Sequence, residues 1–228
     1  NILSSNTLSS QFRVSTTSPV GSNYPVTTSG IYNLSLANFS VADYNSVNVT
    51  YTSSIIDAFG NIYVCGYHNS SYSVPIYNFG SNTLPFVSDT MVSGISLPAV
   101  IGNYAGFLIK YNPGGVVQGY SLLDGIGANT YISTLTTDIF GNVYICGNHS
   151  NLKTIQIYSI GAIIPSCSLL SNQGTCSSFI IKYDSNGYCL GLSQLNAPGL
   201  FANINVINAE KLYGNIYIGG YYNNINSN

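Results

Sequence analysis

One phrase is written three times along the chain. "IDAFGNIYVCGYHN" occupies residues 56–69, "TDIFGNVYICGNHS" occupies 137–150, and a worn copy, "EKLYGNIYIGGYYN", occupies 210–223. With Gly60, Gly141 and Gly214 in register, the spacing is 81 and then 73 residues. A second landmark falls between them: "GFLIKYNPGGVVQGYSLL" at 106–123 matches "SFIIKYDSNGYCLGLSQL" at 178–195. Phe107 to Gly141 is 34 residues and Phe179 to Gly214 is 35, whereas Gly60 to Phe107 is 47 and Gly141 to Phe179 only 38. The length variation therefore sits in one loop of the unit. A chain that repeats itself in this way stacks copies of one supersecondary unit, each burying its apolar face on the next.

Within the unit, β-branched and aromatic residues flank the Asp-x-Phe-Gly-Asn turn on both sides, as a hairpin requires. "FLIKY" and "VVQGYSLL" form a second hairpin around Asn112-Pro113-Gly114-Gly115, and its counterpart turns on Asp184-Ser185-Asn186-Gly187, where Asn-Gly supplies a positive φ. Two hairpins make a four-stranded unit. "VYIC" at 143–146 is apolar at every position, so both faces of that strand are expected to be covered, whereas the outer strand "VVQGYSLL" is mixed. The predicted fold is all-β: a β-propeller or partial propeller of four-stranded antiparallel blades.

The order Asp-x-Phe-Gly-Asn-Val-Tyr-Ile-Cys-Gly, a loop, then Phe-Ile-Ile-Lys-Tyr-Asp-x-Asn-Gly resembles the SBBP repeat family, the beta-propeller repeat of bacterial and other surface proteins. The resemblance covers roughly residues 47–222, and its motifs fall at Asp57–Gly66, Asp138–Gly147, Phe107–Tyr111 and Phe179–Tyr183. The third copy departs from it, with Lys211 where the others have Asp and Gly219 where they have Cys. The resemblance implies a propeller fold and extracellular or envelope-associated roles, without shared catalytic residues. Residues 47–123 and 130–194 read as complete blades and 202–228 as the first hairpin of a third. Residues 1–45 offer "FRVS" and "IYNLSLANFS" as a closing hairpin. Three blades fall below the usual 4 to 8; with no initiator Met, the expectation is a piece of a longer propeller or an assembly of several copies.

Charged residues make up only 5% of the chain, and Ser, Asn, Thr, Gly and 20 Tyr supply the polarity. The hydrophobic fraction of 45% at a net charge of -2 argues for folding rather than disorder. Arg13, Lys110, Lys153, Lys182 and Lys211 are scattered and cannot form the basic stripe that nucleic-acid binding needs. No apolar run approaches the length that crosses a bilayer, so membrane insertion is not expected.

His68 and His149, the two histidines, fall at the same repeat position, where they either cap strand ends or flank a shared metal or catalytic site. No acidic residue or cysteine beside them completes a metal shell. Asp57, Asp138 and Asp184 sit at turns, where a short carboxylate accepts from nearby N–H groups. No nucleophile elbow, phosphate loop or zinc-protease motif is present. No catalytic residue and no cofactor are therefore assigned. Cys65 and Cys146 are expected to be buried thiols on inner strands. Cys167 and Cys176 bracket "SLLSNQGT" in the variable loop and are the candidate disulfide of an oxidising compartment, the alternative being two free thiols. Cys189 has no obvious partner. Asn-x-Ser/Thr sequons at Asn33, Asn38, Asn48, Asn69 and Asn148 are candidate glycosylation sites. Tyr67, Tyr72, Tyr221 and Tyr222 cluster near strand ends, a composition suited to protein or sugar contacts.

These features point to a non-enzymatic structural or interaction module on an exterior surface, extracellular or on a cell or virion. Its expected partners are proteins, further copies of itself or glycans. Heavy use of Asn, Ile and Tyr suggests an AT-rich genome, such as that of a protist or a large DNA virus. The rivals are a carbohydrate-binding adhesin and, less favoured, a propeller hydrolase or lyase working through His68 and His149.

Overall fold

The computed structural model describes residues 49–76, 95–150, 152–196, 198–210 and 214–224, all within the compact unit Asp43–Asn228. The proposed closing hairpin of 1–45 and the sequons at Asn33, Asn38 and Asn48 lie outside the described residues. In chain order the strands are β1 (Val49–Ile56), β2 (Ile62–His68), β3 (Val74–Pro75), β4 (Ser96–Leu97), β5 (Ala105–Tyr111), β6 (Val117–Asp124) and β7 (Thr130–Thr137). They continue as β8 (Val143–His149), β9 (Ile155–Tyr158), β10 (Pro165–Leu169), β11 (Ser177–Tyr183), β12 (Cys189–Leu195), β13 (Leu200–Ala209) and β14 (Ile216–Asn224).

The repeated phrase is a hairpin in all three copies: β1 pairs β2, β7 pairs β8 and β13 pairs β14, each antiparallel. The turn is locked by its acid. Asp138 Oδ1 accepts from the backbone N–H groups of Phe140 and Asn142, both at 2.9 Å, and Oδ2 accepts from Asn142 Nδ2 at 2.7 Å and Tyr144 OH at 3.1 Å. Asp57 repeats the first three bonds with Phe59 and Asn61. Gly141 adopts φ +77°, a conformation open to glycine at little cost. In the third copy the turn is one residue longer. There Glu210 takes the acid's place: its N–H donates to Asn215 O at 2.8 Å and its carboxylate accepts from Asn215 Nδ2 at 2.7 Å. Lys211 therefore aligns with Asp57 and Asp138 in sequence, while Glu210 does their work.

Each hairpin also carries the same bulge. The register slips at Thr52, Ser133 and Asn205 of the first strand, between Tyr51 and Ser53, Ile132 and Thr134, and Ile204 and Val206. A bulge re-aims one side chain, and Thr52 Oγ1 donates to Ile132 O of the neighbouring repeat at 2.8 Å. Beside the bulge the two strands crowd together. A Cβ at Gly66, Gly147 or Gly220 would land on the carbonyl of Thr50, Tyr131 or Asn203, which explains a glycine at that position in all three copies.

The second hairpins complete two antiparallel blades, β1-β2-β5-β6 and β7-β8-β11-β12, and β13-β14 stands as the first hairpin of a third. The blades pack face to face, the arrangement of a partial propeller. Blade one contributes Tyr63, Cys65, Leu108 and Leu123 to the core between them; blade two contributes Val143, Ile145, Phe179, Ile181 and Tyr183. All four residues of "VYIC" are buried. Val143 and Ile145 face blade one, and Tyr144 and Cys146 face Ile204 and Ile207 of the third hairpin.

The variable loop holds more order than the sequence suggested. β9 and β10 form a hairpin that adds to the edge of blade one, with Leu123 opposite Ile157 and Asp124 opposite Gln156, so that sheet has six strands. β6 is thus an inner strand, and the insertion of repeat two fastens onto repeat one. The expected Cys167–Cys176 pairing is corrected: Cys167 on β10 forms a disulfide with Cys189 at the head of β12, and Cys176 is a buried free thiol. The reason is strand placement. Ser159 Oγ accepts from Cys189 N at 2.9 Å and Ile160 N donates to Gly187 O at 2.8 Å, which ties the β9–β10 hairpin to the start of β12. Cys176 instead bridges to Phe201, its carbonyl accepting from Ala202 N at 3.0 Å.

Candidate interaction groove

The residues singled out for chemistry are occupied with structure. His68 and His149 close β2 and β8 and are fully buried. Each rests against the phenylalanine of its own blade, His68 on Phe107 with ring centroids 6.1 Å apart and His149 on Phe179 at 6.3 Å. Burial holds both imidazoles near pKa 4, against an ordinary 6.5, with Asp124 opposing the shift at His68. Both are neutral at pH 7. Gln194 Nε2 donates to His149 Nε2 at 3.0 Å, which leaves the ring proton on Nδ1. Among the described residues no group of three or more His, Cys, Asp or Glu is placed to hold a metal ion. Asp184 is spent on its turn, accepting from Asn186 N and Tyr188 N at 2.9 Å. Burial pushes the thiols of Cys65 and Cys146 up to about 12 and that of Cys176 to about 11, far from nucleophilic at neutral pH.

Two sequons lie among the described residues. Asn148 is half-buried, and the Nδ2 that a glycan would take donates to Asn203 Oδ1 at 2.9 Å. Asn69 is half-buried as well.

What the repeat leaves open is a groove between blade two and the third hairpin. Its floor is the outer face of blade two, with Tyr144, Ile180, Lys182 and Ser193, and its far wall is β14, with Ile216 and Ile218. Toward the other end it continues past Leu195 to Tyr221 and Tyr222. Two adjoining cavities of about 360 and 330 Å³ make it up. Among the described residues β14 pairs only with β13, and no described strand satisfies the backbone N–H and C=O groups of its other edge. Along that edge Tyr217, Ile218, Tyr221 and Tyr222 are all more than half exposed. A second aromatic cluster lies at the seam between blades one and two. Tyr67 packs edge-on to Tyr131 with centroids 4.9 Å apart, and Tyr104 lies 5.2 Å from Tyr131; all three are half-buried.

Sequence reasoning did not find the groove, because its floor and its far wall come from different repeats and no local pattern brings them together.

Comparison with known proteins agrees with the architecture. Residues 115–148, running from the turn before β6 through β8, match the family model of the beta-propeller repeat, SBBP. No curated protein matches the chain. Among solved structures, domains 7, 8 and 9 of the S-layer protein SbsC align at 11% identity over 66% of this chain and 60% of that one. The TM-score is 0.13, a value at which the likeness carries no argument about fold or role.

Proposed function

We propose that the chain is a non-catalytic structural and interaction module built on propeller blades, working through protein contacts on an exterior surface of a cell or virion. The observation that carries this reading is the groove beside β14: an apolar floor next to a strand edge that no strand among the described residues pairs with, on a chain whose charged residues are only 5% of the total. Exposed edge strands are sites of strand addition by another segment. The buried neutral histidines and turn-bound carboxylates leave little for acid–base work, and the Cys167–Cys189 disulfide suits an oxidising exterior. Among the described residues, no helix is long and apolar enough to cross a membrane.

Incorporation into the native assembly tests the reading. An Ile218→Arg, Tyr222→Ser variant, shown by circular dichroism to stay folded, is expected to be excluded from the assembly formed in its source. Normal incorporation would overturn the proposal. A second reading, carbohydrate binding, is favoured by the partly exposed Tyr67–Tyr104–Tyr131 cluster, since aromatic faces are amphipathic contact surfaces. Dose-dependent signal on a glycan array, lost in Tyr131→Ala, would support it in place of the first.

A further inference from the structure

His149 meets the side-chain amide of Gln194, and that amide also grips the backbone of Leu170, the residue after β10. Leu170 N donates to Gln194 Oε1 at 3.0 Å, and Gln194 Nε2 donates to Leu170 O at 3.1 Å. A backbone N–H can only donate and a backbone carbonyl can only accept, so these two bonds fix which way round the amide lies. The group it turns to His149 Nε2, 3.0 Å away, is therefore its NH2. That contact needs an unprotonated ring nitrogen. A proton on Nε2 would set donor against donor, and reversing the amide to accept from it would break both bonds to Leu170. The gripped amide and a charged imidazole exclude each other.

The amide holds one end of a strap. Residues 170–176 run from β10 to β11, between two anchors: the Cys167–Cys189 disulfide behind them and Ser177, the first residue of β11, ahead. Asn196, just past β12, holds the middle with an uncharged side chain. Its Oδ1 accepts from Gln173 N at 2.9 Å and Ser177 Oγ at 2.8 Å, and its Nδ2 donates to Ser171 O at 2.8 Å. Of these holds, the Gln194 grip alone adjoins an imidazole.

The elements packed on His149 bring no charge to it. Thr130 of β7 and Ser177 of β11 lie opposite it in the ladders, Phe179 of β11 lies against its ring, and Gln194 faces it from β12. Cys176, next to Ser177, is a neutral thiol, pushed up to about 11 by burial. Burial is the one influence on the imidazole, and it holds the ring near 4. Blade one is built differently. Leu122, opposite Phe107, stands where Gln194 stands opposite Phe179, so His68 has no such amide beside it. The equivalent strap is held by Asp124, which accepts from Ile101 N at 2.6 Å and Gly102 N at 3.1 Å.

We infer that His149 and Gln194 form an acid-released latch on the strap 170–176. With His149 neutral the amide holds Leu170; protonation of His149 frees that end of the strap, while the Cys167–Cys189 disulfide keeps it tethered. The inference goes beyond the interaction-module reading and does not rest on it. In the released strap His149 titrates at its ordinary 6.5, and in the latched strap near 4, so release takes up a proton between those limits. The latch is complete above pH 6.5 and loosens about ten-fold per pH unit below it.

Amide exchange of the full chain, expressed as protection factors so that the intrinsic pH dependence cancels, reads the latch at Leu170 N. Between pH 6.5 and 4.5 its protection is expected to fall about a hundred-fold. In nuclear magnetic resonance spectra the Gln194 side-chain NH2 should shift with the same midpoint as the His149 ring. His149→Leu should abolish the fall. Gln194→Glu should reverse it: a carboxylate accepts from Leu170 N as the amide does and also accepts from the imidazolium, so acid tightens the hold. That change of sign separates the latch from a general softening of the fold in acid, which would lower protection in both chains. Level protection at Leu170 over this range, a Gln194 midpoint apart from that of His149, the same fall in His149→Leu, or a Gln194→Glu chain that loosens with acid like its parent each overturns the inference.

Discussion

Truncating Leu108 and Ile180 to alanine measures how differently two equivalent positions are used. Leu108 is fully buried between blades one and two, so Leu108→Ala removes a well-packed side chain at a cost of about 3 kcal/mol, within the 2–5 kcal/mol range for such changes. Ile180 sits at the same place on blade two but only at the margin of the smaller core with Ile204 and Ile207. Partly exposed where Leu108 is not, Ile180 should cost less to truncate, about 2 kcal/mol. The serines one strand outward repeat the contrast. Ser121→Ala strands Tyr183 OH and Tyr158 O in a dry interior, worth about 1–3 kcal/mol, whereas Ser193→Ala should be close to neutral. Equilibrium urea unfolding of the full chain, at unchanged m-value, reads all four. At this size about 3 kcal/mol also lowers the melting temperature by roughly 6–12 °C. Equal losses at Leu108 and Ile180 would refute the reasoning, because they would mean that Ile180 is packed as fully as Leu108.

The turn acids should rank by the bonds they accept: Asp138→Ala most costly at about 3 kcal/mol, Asp57→Ala next, and Asp184→Ala least at about 1 kcal/mol. Urea unfolding checks the order. Non-reducing peptide mapping should find Cys167 linked to Cys189. Either cysteine changed to Ser should cost about 3 kcal/mol for a loop of 22 residues, while Cys176→Ser leaves the linkage intact. His68 and His149 have folded pKa values near 4, below the unfolded 6.5, so the unfolded chain binds more protons between those limits. Their stabilising contribution is complete above pH 6.5 and is lost as pH falls toward 4, by up to about 1.4 kcal/mol per pH unit for each histidine. A His68→Leu, His149→Leu double variant should show a correspondingly flatter stability profile between pH 4 and 6.5.

Much of the scaffold could be read from the sequence, because its signals are local. The hairpins at Asp57–Gly66 and Asp138–Gly147, the Phe-x-x-Lys-Tyr strands and the burial of "VYIC" depend on alternation and turn chemistry within a few residues. What escaped the sequence depends on pairing across repeats. β9 and β10 read as a variable loop because their ladder partner, β6, belongs to the preceding repeat. Cys167 found Cys189 rather than its sequence neighbour Cys176 because that insertion packs against the head of β12. Glu210 replaced the turn aspartate through a one-residue shift that alignment on the glycines conceals. Lys110 and Lys182 were visible as repeat positions, but not that one reaches the turn of the next blade and the other stands over an open groove.

Amide exchange of β8 and β14 in the isolated full chain tests the central claim most directly. The two strands are repeat equivalents: among the described residues β8 is paired on both sides, and β14 on one. A β14 edge accessible to solvent beside the groove predicts that the amides of β14 facing away from β13 exchange at least about a hundred-fold faster than their counterparts in β8, the difference between local opening and a core strand. Equal protection in the two strands would contradict the account.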